Sequence, residues 1–130
     1  MKFYAQKGDA GIVSNIYHGL YEFEDSIFLL HYVTADDVFF DIGANLGHYS
    51  LIMSGSKKCT SYAFEPVPET YQQLEKQVKI NHLENLISLH NLGFSDQIGT
   101  LHFSTNKGVM NRIVAKNEKN SVKGDLLDIV

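Results

Sequence analysis

Two acidic residues flank a glycine-containing turn, and their spacing could hold a polar ligand. Asp41 lies just before the turn Gly43-Ala44-Asn45-Leu46-Gly47. Glu65 follows the apolar run Cys59 to Phe64 and lies 65 − 43 = 22 residues after Gly43. Carboxylates can hold a cationic group or accept hydrogen bonds from paired hydroxyls. The pattern therefore favours a ligand that offers both.

The turn itself is suited to a ligand that lies against the backbone. Gly43 permits a bend that a Cβ would obstruct, and it lets the ligand approach the main chain. The helix predicted after the turn presents unpaired amides and a positive dipole end, which suit a carboxylate. Asp41 supplies the opposite charge, and Asn45 can add a side-chain hydrogen bond. A ligand with an ammonium, a carboxylate and a sulfonium fits this pairing better than a pyrophosphate does.

Glu65 stands where βαβ nucleotide sites carry the acid that binds the ribose hydroxyls, about 20 residues past the glycine turn. Pro66 then makes the following turn rigid beside the base. A glycine turn after a strand is by itself a weak signal, because many such turns are only tight turns. Together, Asp41, the following helix and Glu65 make a purely structural turn the less favoured interpretation.

Alternating helical and strand patterns position these residues. Apolar residues spaced by three and four predict amphipathic helices, and short apolar runs bounded by polar residues predict buried strands. The predicted helices cover 21–33, 46–54 and a segment that begins at Pro68, and the predicted strands cover 38–42, 59–64 and 86–92. This alternation predicts an α/β fold, a Rossmann-like three-layer sandwich with a mostly parallel sheet and helices on both faces.

The pattern changes after Asp96. Leu101 to Phe103 alternate like an added strand, and the polar residues 104–123 fit either a flexible loop or an antiparallel strand around Met110 to Val114. The apolar residues Leu126 to Val130 fit the beginning of a further strand. No repeat or linker marks a second domain, so residues 1–130 are interpreted as part of a single domain.

Composition excludes several classes of partner. The chain has 11 Lys and Arg against 15 Asp and Glu, a net charge of −4, and no basic cluster longer than Lys57-Lys58, which argues against nucleic acid. No apolar run is long enough to span a bilayer, and residues 1–8 do not resemble a signal peptide. The single cysteine, Cys59, is typical of a reducing compartment. A cytoplasmic protein without membrane contact is predicted.

The remaining side chains are interpreted as structural. Six histidines show no spacing typical of metal ligands, so no metal site is predicted. His48 is expected at the surface, and Cys59 as a buried core thiol. The stripe Tyr71, Leu74 and Val78 is predicted to be core packing on the third helix.

Three segments resemble FkbM-type S-adenosylmethionine-dependent methyltransferases, which are class I, Rossmann-like enzymes. Val38 to Ser50 resembles their first motif, Ala63 to Pro68 their second, and Asn91 to Asp96 the region of their third strand. The resemblance covers most of residues 17–103. It implies S-adenosylmethionine as the cofactor, with its methionine end on Asp41 and its ribose on Glu65. The full set of cofactor-binding residues that it implies is Asp41, Gly43, Ala44, Asn45, Gly47, Glu65, Pro66 and Gly93.

The resemblance also implies methylation of a hydroxyl on a sugar, a glycan or a natural product. Family members continue with a fourth strand carrying a K-x-D-x-E-G type motif, which has no match here. The chain is therefore interpreted as the N-terminal, cofactor-binding portion of a methyltransferase domain truncated at its C-terminus. No general base is identified, and the isolated chain is expected to bind cofactor without turnover. An uncovered central strand predicts self-association through an exposed sheet edge.

Two alternatives remain. An NAD-dependent oxidoreductase would use the same sheet and the same ribose acid, but it requires G-x-G-x-x-G, and positions 45 and 48 are Asn and His. Asp41 would also repel a pyrophosphate. A non-catalytic binding module would retain the fold alone. Truncation favours this second alternative, and the cofactor residues argue against it.

Overall fold

The computed structural model describes residues 1–4, 22–96, 99–104, 113–114 and 121–128. The helices are α1 (Phe23–Tyr32), α2 (His48–Ile52), which continues as a π-helical turn (Met53–Lys57), and α3 (Pro68–Ile80). The strands are β1 (Val38–Ile42), β2 (Thr60–Phe64), β3 (Ile87–His90), β4 (Gly93–Ser95), β5 (Gly99–Ser104), β6 (Ile113–Val114) and β7 (Ser121–Asp128). None of the helices in these segments is long and apolar enough to cross a membrane.

The first three strands form a parallel sheet in the order β1-β2-β3. Asp41 lies opposite Ala63, Ile42 opposite Phe64, and Phe64 opposite His90, so the three carboxyl ends meet at one edge. The helices α2 and α3 connect the parallel strands, as parallel pairing requires a crossover. The predicted α/β class and the parallel sheet are confirmed.

The helices pack on one face of this sheet. Odd-numbered strand residues face the helices and even-numbered residues face the other way, because side chains alternate along a strand. One cluster joins α1 to the sheet through Leu29, Leu30, Val33, Phe39, Ile52, Met53 and Cys59. The other contains Ala44, Leu51, Ala63, Leu74, Val78, Leu83 and Ile87. The described residues thus form two of the three predicted layers.

Helix boundaries differ from the sequence expectation at α2. The helix begins at His48, two residues after the predicted start, because Gly47 is left-handed (φ 83°). It also continues past Gly55 as the π-helical turn and ends before the left-handed Lys58 (φ 64°). The buried side chains Met53 and Ser54 are held in the core there. Tertiary packing therefore outweighs the helix-ending preference of Gly55.

The C-terminal strands form a second sheet in the order β4-β7-β5-β6. The strand predicted at Leu101 to Phe103 is confirmed within β5, and Ile113–Val114 pairs with it antiparallel. Leu126 pairs with Gly93 of β4 and with Gly99 of β5. As far as Asp128, the segment interpreted as a fourth strand therefore joins this second sheet and does not lie beside β1; Ile129 and Val130 lie outside the described residues.

The outer edge of β1 has no strand partner among the described residues. Gly43 donates its N–H to the Phe64 carbonyl of β2 (2.9 Å). Because backbone groups alternate along a strand, those of Val38, Phe40 and Ile42 point away from β2. The same three side chains are 56%, 58% and 61% exposed. Unpaired backbone and exposed apolar surface therefore coincide on one short strand.

We expect two copies to pair through this edge, antiparallel about Phe40, which places Val38 opposite Ile42 of the second copy with their backbone groups matched. Sedimentation velocity over a concentration series should show self-association, and Phe40→Lys should remove it. Phe28→Lys is the matched control, because Phe28 is 57% exposed but lies on α1. A strictly monomeric wild-type chain, or equal effects of the two variants, would contradict this expectation.

Candidate functional site

Asp41 lies near the carboxyl end of β1, on the face that the helices cover, and it is 8% exposed. Its Oδ2 atom accepts hydrogen bonds from the Ser50 backbone N–H (3.1 Å) and the Ser50 hydroxyl (2.6 Å). Burial raises the pKa of Asp41, and the two bonds from Ser50 act in the opposite direction. A buried carboxylate is thus held in place at the sheet edge by the first turn of α2.

Glu65 follows β2 directly and is 6% exposed. Its Oε1 accepts from the Val67 backbone N–H (2.8 Å), and its Oε2 accepts from the Asn45 backbone N–H (3.0 Å). Burial raises the pKa of Glu65, and the negative charge of Asp41 acts in the same direction. The pKa of Glu65 therefore depends on the charge of Asp41.

The glycine turn is fastened to the end of β2. The backbone N–H groups of Gly43 and Ala44 both donate to the Phe64 carbonyl at 2.9 Å. Asn45 is left-handed (φ 51°), and its N–H reaches the Glu65 carboxylate. The structure therefore brings Asp41, the turn and Glu65 together at the carboxyl ends of two neighbouring strands, the place where open α/β sheets bind ligands.

The amides near the start of α2 have partners within the protein. The Asn45 N–H is bonded to Glu65 and the Ser50 N–H is bonded to Asp41. The α-helical part of α2 is five residues long. These two amides hold the acids in place, so neither is assigned to a ligand carboxylate, which the sequence had led us to expect in this region.

The two glycines of the turn have different surroundings. Both are left-handed, with φ of 80° at Gly43 and 83° at Gly47. A Cβ at Gly43 would meet nothing within 4 Å, so the space beside it is open to a ligand. A Cβ at Gly47 would overlap the Leu74 side chain of α3. Gly47 is therefore required for helix packing, whereas Gly43 borders the open space.

The other predicted cofactor residues lie around these two. Ala44 is 6% exposed, and its side chain belongs to the core cluster with Leu51 and Leu74. Pro66 is half-buried between Glu65 and Val67. Gly93 is buried as the first residue of β4. The Ala44 backbone is engaged within the turn, since its N–H donates to the Phe64 carbonyl and its carbonyl accepts from the Gly47 N–H (2.7 Å).

Sequence reasoning missed two polar side chains that hold the site. Ser50 donates to Asp41, and Asn91 donates from Nδ2 to the Glu65 carbonyl (2.7 Å). The Glu65 N–H in turn donates to the His90 carbonyl (3.0 Å), so the ends of β2 and β3 are fastened together. The sequence offered one signal for each, which was its position. Asn91 directly follows β3, and Ser50 lies within the apolar helix that follows β1.

His48 and Tyr49 fasten α2 to α1. The Nε2 atom of His48 lies 3.2 Å from the hydroxyl of Ser26, which is fully buried. The Tyr49 hydroxyl donates to the Glu22 carboxylate. Burial lowers the pKa of His48, although the charges of Glu22 and Asp41 act the other way. His48, expected at the surface, is half-buried, because Ser26 of α1 contacts its ring. Cys59 is buried as predicted; of the predicted stripe, Leu74 and Val78 are buried and Tyr71 is half-buried.

We predict that His48 makes the protein less stable as the pH falls below neutral. Its pKa in the folded state lies below the ordinary 6.5, so the unfolded chain takes up the proton first and stability falls from about that pH downward. Urea unfolding at neutral and mildly acidic pH should show a smaller loss for His48→Gln than for wild type. The exposed His82 supplies the control His82→Gln. Equal losses in wild type and His48→Gln would contradict this.

Among the comparisons with known proteins, the one with TYW2 supports the fold. No protein-family model matches the chain, and no curated protein matches it. The transferase PH0793 of Pyrococcus horikoshii is 19% identical, with a match covering 58% of this chain and 34% of its own, at a TM-score of 0.49. TYW2 of P. horikoshii, solved in complex with MeSAdo, is 24% identical, with a match covering 54% of this chain and 26% of its own, at a TM-score of 0.50.

The matched part of the chain spans about a third of PH0793 and about a quarter of TYW2. The likeness concerns the fold: the chain has part of the Rossmann-like α/β arrangement found in methyltransferases. The resemblance to the FkbM-type family stays a prediction.

Proposed function

We propose that this chain binds S-adenosylmethionine, as the cofactor-binding portion of a methyltransferase. The observation that carries the proposal is the pair of buried acids, Asp41 and Glu65, at neighbouring strand ends beside the open space at Gly43. TYW2, whose fold is similar, was solved with MeSAdo, an S-adenosylmethionine analogue, and this supports the choice of cofactor.

The charge of the site favours a cationic ligand. Burial raises the pKa of both acids, and the charge of Asp41 raises that of Glu65 further, whereas the charge of His48 acts in the opposite direction on Asp41. No salt bridge to either acid is present in the part of the chain that the structure describes. A ligand that brings an ammonium and a sulfonium relieves this unpaired charge, whereas a pyrophosphate adds to it. The electrostatics therefore argue against a dinucleotide.

The two acids have distinct roles in this proposal. Asp41 uses Oδ2 for Ser50, and its Oδ1 accepts no hydrogen bond from any described residue. Oδ1 is the atom that would take the ammonium of the methionine end. Each Glu65 oxygen accepts one backbone N–H, and a carboxylate oxygen can accept two hydrogen bonds. One acceptor site per oxygen is left for the two vicinal hydroxyls of a ribose.

The reaction that we propose is transfer of the methyl group to a hydroxyl of a sugar, glycan or natural product in the cytoplasm. This rests on the resemblance of Val38 to Ser50 and Ala63 to Pro68 to FkbM-type motifs. The methyl group passes in line from sulfur to oxygen, and the protein contributes by orienting the donor. Asp41 and Glu65 orient the donor; a base for the acceptor hydroxyl belongs to the acceptor site.

Isothermal titration calorimetry tests the proposal. The full chain is titrated with S-adenosylhomocysteine, which carries the same ammonium, carboxylate and ribose, and in parallel with NAD. We expect binding of S-adenosylhomocysteine and none of NAD. Tighter binding of NAD, or no binding of S-adenosylhomocysteine by a folded chain, would refute the assignment. A methyl-transfer assay with a panel of sugars is run beside it, and turnover would overturn the expectation that this chain alone only binds.

A further inference from the structure

The two acids of the site are held by different kinds of group. Glu65 is held by two backbone amides, those of Asn45 and Val67. Asp41 is held by one backbone amide and one side chain, both from Ser50. Among the described residues, the Ser50 hydroxyl is the one side-chain group that hydrogen-bonds either carboxylate. It is therefore the contact that a substitution can remove without altering the backbone.

Burial of Ser50 favours the hydrogen bond between its hydroxyl and Asp41. Ser50 is fully buried, so its hydroxyl has no water to bond to in place of Asp41. At 2.6 Å the bond is within the short range expected for a hydroxyl donating to a carboxylate. The Ser50 N–H, at 3.1 Å, converges on the same oxygen. Both donors thus occupy Oδ2 and leave Oδ1.

We infer that Ser50 is a positioning residue of this site, which keeps Asp41 ionised and fixes which of its two oxygens meets the ligand. This rests on the proposed function, because the ligand group that Asp41 would take is the ammonium of S-adenosylmethionine. Ser50 itself touches Asp41 and not the ligand. Its loss should therefore alter affinity through the charge and orientation of Asp41.

The pH dependence separates this role from a purely structural one. Binding of the ammonium requires ionised Asp41, so affinity falls as the pH drops through the pKa of that carboxyl in the free protein. The Ser50 bonds lower this pKa against the effect of burial. Without the hydroxyl the pKa rises, and the acid limb of the binding curve moves to higher pH. The titratable groups that interact with Asp41 are His48 and Tyr49 of α2 and Glu65, and all three remain in every variant.

The test compares Ser50→Ala, Ser50→Thr and Ser54→Ala. Ser54 is the matched control: it is also fully buried, it lies in the π-helical turn after α2, and it bonds Ser61 (2.8 Å) instead of an acid. Calorimetry with S-adenosylhomocysteine should show roughly tenfold weaker binding for Ser50→Ala, as expected for a lost hydrogen bond to a charged group. The acid limb of its binding curve should move to higher pH. Ser50→Thr and Ser54→Ala should keep the acid limb of the wild type.

A second measurement does not depend on the ligand. The pKa of Asp41 is followed by the NMR shift of its carboxyl carbon in the unliganded chain, assigned by its loss in Asp41→Asn. We expect a higher pKa in Ser50→Ala alone. Wild-type affinity and an unchanged Asp41 pKa in Ser50→Ala overturn the inference and leave the proposed function standing. If the folded wild type binds no S-adenosylhomocysteine, the proposed function fails, and the role of Ser50 toward that ligand fails with it, even where its effect on the pKa is seen.

Discussion

Replacing Gly47 by alanine should destabilise the protein by about 3 kcal/mol, whereas the same change at Gly43 should cost about 1 kcal/mol. Both glycines have left-handed backbones, so a Cβ adds strain of about 1–2 kcal/mol at each. At Gly47 the Cβ would also overlap Leu74, and overpacking of a core costs about 1–3 kcal/mol more. Urea unfolding of the two variants measures the difference.

Affinity should show the opposite order. A methyl group at Gly43 projects into open space, where the proposed ligand would lie against the backbone. Gly43→Ala should therefore weaken binding of S-adenosylhomocysteine more than Gly47→Ala does. Equal losses of stability in the two variants would show that Leu74 moves aside without cost. Unchanged affinity in Gly43→Ala would place the ligand elsewhere.

Replacing Glu65 by glutamine should weaken binding of S-adenosylhomocysteine roughly 100-fold. Glutamine keeps one acceptor oxygen, so the net loss corresponds to about one hydrogen bond to a charged acceptor, and such a bond contributes about 1.5–3 kcal/mol. The glutamine amide would also turn an NH₂ group toward the Asn45 or Val67 N–H, because both Glu65 oxygens are acceptors in the native structure. Calorimetry measures the affinity, and circular dichroism checks that the variant is folded.

Glu69→Gln is the control for this substitution. Glu69 lies four residues further, in the first turn of α3, and is exposed. The same loss of one negative charge at Glu69 should leave affinity within about twofold, since exposed charges are screened by water and salt. If Glu69→Gln and Glu65→Gln weaken binding equally, the effect comes from net charge and Glu65 holds no ribose.

The placement of Asp41 and Glu65 could be predicted because it depends on local rules. Short apolar runs predicted β1 and β2, and parallel strands with short crossovers bring their carboxyl ends to one edge. The turn after β1 followed from Gly43, whose left-handed backbone few other residues adopt. The start of α3 followed from Pro68, which tolerates the first helical turn.

Other features depended on neighbours far away in the chain. Gly47 resembles a ligand-binding glycine in sequence, and its close packing against Leu74, 74 − 47 = 27 residues away, is seen only in the structure. His48 appeared to be a surface residue because nothing in its own segment predicts that Ser26 of α1 will cover it. The last strand pairs with β4 and β5, and nothing in its own residues specifies these partners.

The amino-acid sequence was enough to predict the α/β class, a mostly parallel sheet and two acids at neighbouring strand ends. Hydrophobic periodicity, glycine and proline influence only the residues near them in the chain, so these features can be predicted from the local sequence. The folded chain was needed to show which amides and hydroxyls hold those acids, which glycine borders open space, and which face of the sheet the helices cover. Such features are set by contacts between distant segments, and those contacts exist only after the chain has folded.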